Sequence, residues 1–160
     1  MQDKLYAVID TNVVVSALFS LEGNSNPSSV MRCIMRGRIV PLYNEEILAE
    51  YVSVLSREKF PFDKSDIDNI INLFLTSGLC LDRVCSNEDF ADLDDLVFYE
   101  VTLSKEGAFL VTGNQKHYPK KPFVVTPAEM MNIVIAFENK DKNMLCEEGE
   151  SYIIHNKKDL

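Results

Sequence analysis

Four places along this chain put oxygen-bearing side chains next to apolar runs, where they can do chemistry together. The first is Asp10-Thr11-Asn12, reached directly from Leu5-Tyr6-Ala7-Val8-Ile9. The second is Glu50, between Leu48 and Tyr51 on a predicted helix. The third is Asp92, Asp94 and Asp95, crowded at the start of another predicted helix. The fourth is Thr112-Gly113-Asn114, which follows the apolar run Phe109-Leu110-Val111. Hard oxygen ligands of this kind suit Mg²⁺ or Mn²⁺. With such ions one metal can activate a water while another stabilises the leaving oxygen of a phosphodiester.

Each of these residues also has a plainer reading. Thr11 and Asn12 are good helix N-caps. Asp10 is harder to explain as a cap, because a carboxylate at the mouth of a dry strand is costly unless paired or metal-bound. Glu45 and Glu46 fall in a first helical turn, where acids favour the helix dipole, and that accounts for them. Glu50 lies too far along for the dipole, so it is either a solvated flank residue or a ligand. One or two acids would serve the dipole at residues 92–95. Three repel one another unless a cation sits between them. His117 is one of only two histidines in the chain. A lone histidine is usually a surface residue, and contact with substrate is the sharper alternative.

The elements that must position these groups alternate between strand and helix. Continuous apolar runs at residues 5–9, 38–43, 107–112 and 123–125 read as strands buried on both faces of a parallel sheet. Helices are expected over residues 28–36, from Asn44 to Leu55, from Asp63 or Ser65 to Gly78, after Asp92, and from Thr126 to Phe137. Residues 79–84 read as an edge strand. Such alternation gives an α/β fold with a central, mostly parallel sheet. Ligand sites in such sheets gather at the carboxyl ends of the strands.

The length suits one domain, assigned here to residues 1–138. A polar tail follows over residues 139–160, read as disordered or partner-binding, with the apolar patch Ser151-Tyr152-Ile153-Ile154-His155 inside it. The net charge of −9 argues against broad electrostatic attraction to nucleic acid. It does not exclude a nuclease, because cations bound in an acidic cleft reverse the local field. No apolar run reaches the ~18 residues of a membrane span. The opening residues Met1-Gln2-Asp3-Lys4 carry no signal-peptide pattern, so a cytoplasmic location is expected. Cys33, Cys80, Cys85 and Cys146 show no zinc or disulfide spacing.

Four segments, in this order and spacing, resemble the PIN domain family. They are residues 7–18 around Asp10, Glu46-Ile47-Leu48-Ala49-Glu50-Tyr51, Asp92-Leu93-Asp94-Asp95, and Phe109-Leu110-Val111-Thr112-Gly113-Asn114. The resemblance spans about residues 5 to 130 and is closest to the branch of toxin components of toxin–antitoxin pairs. It implies a three-layer α/β/α sandwich and a metal-dependent endoribonuclease using Mg²⁺ or Mn²⁺. Asp10, Glu50 and Asp95 match the family's catalytic acids, with Asp92 as a helper and Thr11, Asn12 and Thr112 in support. The fourth position, usually Asp after Thr-Gly, is Asn114 here. A neutral oxygen ligand leaves the site one negative charge short, so a second ion should bind more weakly. Expected partners are an RNA substrate, an antitoxin protein and a second copy of the chain, with no membrane.

Three rival readings share some of these features. A haloacid-dehalogenase-like phosphatase needs a second Asp two residues after the first, where Asn12 stands. A receiver domain needs an acidic pair before its phosphoacceptor strand and a late Lys, and neither is convincing here. The strongest rival is a catalytically silent PIN-like domain that binds RNA or a protein, favoured by Asn114 and by the acidic surface.

Overall fold

The computed structural model describes residues 4–158, and the side chains of residues 4–142. Five strands form one all-parallel sheet: β1 (Leu5–Ile9), β2 (Ile39–Tyr43), β3 (Leu79–Cys80), β4 (Phe109–Val111) and β5 (Val124–Val125). Their order is β3-β2-β1-β4-β5. The chain therefore leaves β1 for β2 on one side and later fills the other side with β4. A crevice opens at the carboxyl end of the central strand where the order reverses.

β1 shows why the sheet must be covered twice. Successive side chains of a strand point to opposite faces. Ala7, Val8 and Ile9 are all fully buried, so helices lie over both faces. The architecture is thus the expected three-layer α/β/α sandwich. Among the described residues six α-helices supply the outer layers: α1 (Thr11–Phe19), α2 (Asn26–Met35), α3 (Glu45–Leu55), α4 (Lys64–Ser77), α5 (Leu93–Leu103) and α6 (Pro127–Lys158). α5 packs on β1, β2 and β4, whereas α2 packs on α1, β2 and α6.

Local chemistry sets the helix boundaries. Ser25 caps α2 by accepting from the Ser28 amide, with Pro27 in the first turn. Asn44 caps α3 through the Ile47 amide at 2.8 Å. Asp63 and Asp66 form a capping box at the start of α4. Gly78 ends α4 where a side chain would not fit: an added Cβ would lie 2.4 Å from the Pro41 carbonyl oxygen.

Two elements are shorter than the sequence suggests. Pairing of the edge strand stops at Cys80, although the Leu81 amide still donates to the Tyr43 carbonyl. The next residues turn away and run beside α5, where the Val84 amide donates to the Glu100 carbonyl. β4 begins at Phe109, not at Gly107, because Gly107 occupies a positive φ of 78° that a strand cannot use. The same helix that starts at Pro127 runs on into the polar segment assigned to a tail. The side chains of the apolar patch at residues 151–155 lie outside the described residues. Cys33, Cys80 and Cys85 are free thiols.

Candidate active site at the carboxyl end of the sheet

Asp10 stands at the tip of the central strand. Its amide still donates to the Val111 carbonyl of β4, so the sheet fixes its backbone. Its side chain is also the N-cap of α1, with Oδ1 accepting from the Thr11 amide at 2.8 Å. Oδ2 accepts from Thr112 Oγ1 at 2.8 Å, Tyr118 Oη at 3.1 Å and Asn12 Nδ2 at 3.3 Å. The carboxylate is buried, yet every one of these donors is neutral. Burial therefore wins and pushes its pKa up, against the opposing effect of the hydrogen bonds from Thr112, Tyr118 and Thr11.

The supports of Asp10 are themselves anchored. Asn12 Oδ1 accepts from the Gly113 amide at 3.0 Å, tying the start of α1 to the end of β4. Thr112 Oγ1 accepts from the Asn114 amide at 3.0 Å. From α3, the buried Tyr51 hydroxyl donates to the Ile9 carbonyl, one residue before Asp10. Burial holds the Tyr51 and Tyr118 phenols well above their ordinary range, with the Asp10 charge adding to it, so both remain protonated donors.

A cleft of about 460 Å³ opens above Asp10. Glu50, Asp92, Asp94, Asp95, Asn114 and His117 line it together with Asp10, Thr11 and Asn12. All the candidate acids are thus brought to one wall system. Thr112 stands behind Asp10. Glu50 is half-buried and faces the cleft, not the outer side of its helix. Its pKa is raised by burial first, then by Asp94, Asp92 and Asp10, with Arg57 opposing. Asp95 is pushed up to about 6 by burial, then by Asp10 and Asp92. Asp92 caps α5 by accepting from the Asp94 amide at 2.9 Å.

At the end of this row three polar side chains are linked in series. His117 Nδ1 lies 3.4 Å from Asp95 Oδ2, and its Nε2 lies 3.1 Å from Asn114 Nδ2. Asn114 thereby spends its amide nitrogen on the imidazole, which leaves its oxygen for a ligand. Three participants escaped the sequence reading in whole or in part. Tyr118 had no signal beyond its nearness to Asn114. Asp94 was seen only as one of a crowd. Arg57 is the cation that faces Glu50.

The donor set fits a divalent cation in kind: carboxylates and an amide oxygen, with the buried Thr11 Oγ1 lacking a hydrogen-bond partner among the described residues. The carboxylates line the cleft without closing into a cage. Among the described residues no group of three or more His, Cys, Asp or Glu side chains is gathered tightly enough to hold an ion. Like-charged acids repel, and Asp10 and Asp95 are already committed to protein partners.

An all-parallel sheet of this order, with an acid-lined cleft at its switch point, makes the chain an α/β domain whose candidate site lies at the carboxyl ends of its strands. The family model described as the PIN domain matches residues 6–116, and this chain belongs to that family. PIN domains are typically nucleases and usually bind divalent metals. No curated protein and no solved structure matches the chain. Among the described residues no helix is long and apolar enough to cross a membrane.

Proposed function

We propose that this chain is a metal-dependent endoribonuclease that hydrolyses RNA phosphodiesters, and the toxin of a toxin–antitoxin pair acting in the cytoplasm. The observation that carries the reading is Asp10. It is a buried carboxylate with neutral donors only, facing Glu50, Asp92 and Asp95 across one cleft. Such a cluster is costly without a cation. Asp10, Glu50 and Asp95 would hold Mg²⁺ or Mn²⁺, with Asp92 and the Asn114 oxygen completing the set. The bound ion would supply Lewis acidity toward water and phosphate oxygens.

The protein's own part is positioning. Thr112, Tyr118, Asn12 and the Thr11 amide lock the Asp10 carboxylate in one orientation. His117 does the same for Asp95. Asn114 lowers the negative charge of the set, which favours one strongly held ion over two. That residue also supports the second reading, a silent domain that binds RNA or a protein without cutting.

A cleavage assay decides between them. Purified protein is incubated with RNA over a range of Mn²⁺, beside Asp10→Asn, in which Asn can still cap α1. Metal-dependent cleavage that vanishes in the variant supports the nuclease. Binding without cleavage supports the silent domain. Cleavage undiminished in Asp10→Asn removes the site assignment. Co-purification with the product of an adjacent gene tests the toxin assignment separately.

A further inference from the structure

The two edges of the sheet are finished differently. At β5 the carbonyls of Phe123 and Val125 accept from β4, so Val124 faces outward. Its outward groups are taken: the Val124 amide donates to the Lys121 carbonyl, and the Val124 carbonyl accepts from Gln115 Nε2 at 3.1 Å. β3 has no such cover. The Leu81 amide donates to the Tyr43 carbonyl, and a parallel ladder turns alternate residues toward the neighbouring strand. Leu79 and Leu81 therefore face β2, while the amide and carbonyl of Cys80 point out of the sheet. No hydrogen bond to a described residue meets them.

The surface around this edge is apolar and uncharged. Leu75 near the end of α4, Leu79 in β3 and Val84 just beyond are 50%, 41% and 45% exposed. From Asn69 in α4 to Leu81 no side chain is charged, the longest such run in a chain of net charge −9. Exposed apolar area is unfavourable, and an open strand edge is a template for another strand.

We propose that β3 is a docking edge for a second copy of this chain, paired antiparallel about a twofold axis at Cys80. Two five-stranded sheets then join into one of ten strands. Three features select a second copy over an unrelated strand. In an isologous interface the same patch meets itself and must be self-complementary. Cys80 meets that condition, because across the axis each Cys80 amide donates to the other Cys80 carbonyl. The side chains match too: Leu79 of each copy falls opposite Leu81 of the other, an apolar cross-strand pair. Charge agrees as well. Two acidic chains repel over most of their surfaces, and this run brings no charge to the contact. The first acid beyond it, Asp82, falls opposite Gly78 of the other copy and not opposite another acid. Antiparallel pairing sets the two acid clefts at opposite ends of the pair, and the proposal is independent of the ribonuclease reading.

Sedimentation equilibrium of the full chain measures the association. The weight-average mass is expected to climb from 18.2 kDa toward twice that value between micromolar and millimolar concentration. Cys80→Pro removes the outward amide and leaves the ladder to β2 intact, at the kind of edge position where proline is tolerated. It is expected to weaken association about thirtyfold, as for two lost hydrogen bonds. Leu79→Lys places a cation on each side of the axis and is expected to abolish the dimer over the same range. It carries the test should Cys80→Pro lose its cooperative melting transition. In a Cys85→Ser, Cys146→Ser background, a short bismaleimide is expected to cross-link two copies through Cys80, because Cys33 is buried. A chain that stays monomeric at millimolar concentration overturns the proposal. So does a dimer that the edge variants leave unchanged, or a dimer that yields no Cys80 cross-link.

Discussion

Asp10 and Glu100 are equally buried, at 6% exposure each, and they have opposite surroundings. Glu100 Oε1 accepts from Arg83 Nε at 2.8 Å and Nη2 at 2.5 Å, while Oε2 accepts from the Ser86 amide at 2.7 Å. Glu46 holds the same guanidinium from its other side at 2.8 Å. This carboxylate is neutralised by the protein and pins the extended segment after β3 onto α5. Asp10 has four donors, none of them a Lys or Arg, and its wider neighbourhood is acidic. A buried acid with its own cation is architecture. A buried acid kept among other acids, with neutral donors only, carries an uncompensated charge.

Exchanging the two roles gives the largest expected effect. On the proposed ribonuclease reading, Asp10→Asn should lower RNA cleavage by at least ~100-fold, because several kcal/mol of charge stabilisation would depend on the ion it would help to hold. Its melting temperature should stay level or rise, since removing one of several like charges relieves repulsion. Glu100→Ala should do the reverse. Stranding Arg83 should cost about 3 kcal/mol, the low end for a broken buried pair because Arg83 is partly exposed. A fall in melting temperature of roughly 6–12 °C would follow. If Glu100→Ala melted like the wild type, the contrast between the two acids would fail.

A smaller effect separates them by ligand. Mn²⁺ at about 100 times its dissociation constant should stabilise the wild type by roughly 2.7 kcal/mol. Asp10→Asn should lose most of that gain, and a milder Glu100→Gln variant should keep it. Calorimetric melts with and without chelator check both. Equal gains in all three proteins would place the ion elsewhere.

The next effect is on pH. Asp95 has a folded pKa of about 6, above its ordinary value of 3.8. The folded chain therefore binds this proton first. The resulting penalty is full above pH ~6 and is relieved as pH falls toward ~4. In chelator, stability should rise by a few degrees between about pH 7 and 5, and Asp95→Asn should flatten that slope. A slope of the same size in Asp95→Asn would assign the titration to another group. The smallest expected effect is that of Asn114→Asp. An added carboxylate should tighten Mn²⁺ binding several-fold and steepen metal-dependent stabilisation. Superimposable titrations would remove Asn114 from the site.

Much of this contrast was legible in the sequence, but unevenly. Asp10 announced itself because an apolar strand ran straight into Asp-Thr-Asn. The helix starts at Asn44 and Asp92 were legible because capping is local chemistry, whereas α2 begins at Asn26, two residues before the expected Ser28, and α4 takes Asp63 of the two caps, Asp63 and Ser65, that the sequence offered. Glu50 was visible as an acid too far along α3 for the dipole, yet only the packing of α3 against α1 and α5 shows that it faces the cleft. Glu100 went unread. A charged residue inside the apolar run Leu96 to Leu103 was a signal, but its partner Arg83 lies in an extended segment with no period to place it. Local grammar writes the elements, while pairings across the fold need three dimensions.

The hydrogen bonds that orient Asp10 also set a schedule. Thr112 is 102 residues downstream of it and Tyr118 is 108 downstream. At ribosomal rates of ~5–20 residues per second, on the order of ten seconds pass between the two ends of this arrangement. During that interval β1 lacks its β4 neighbour, and the acid at its tip lacks two of its donors. The cleft therefore comes into being only when about three-quarters of the chain has emerged, so a half-made copy carries Asp10 without the cleft built around it.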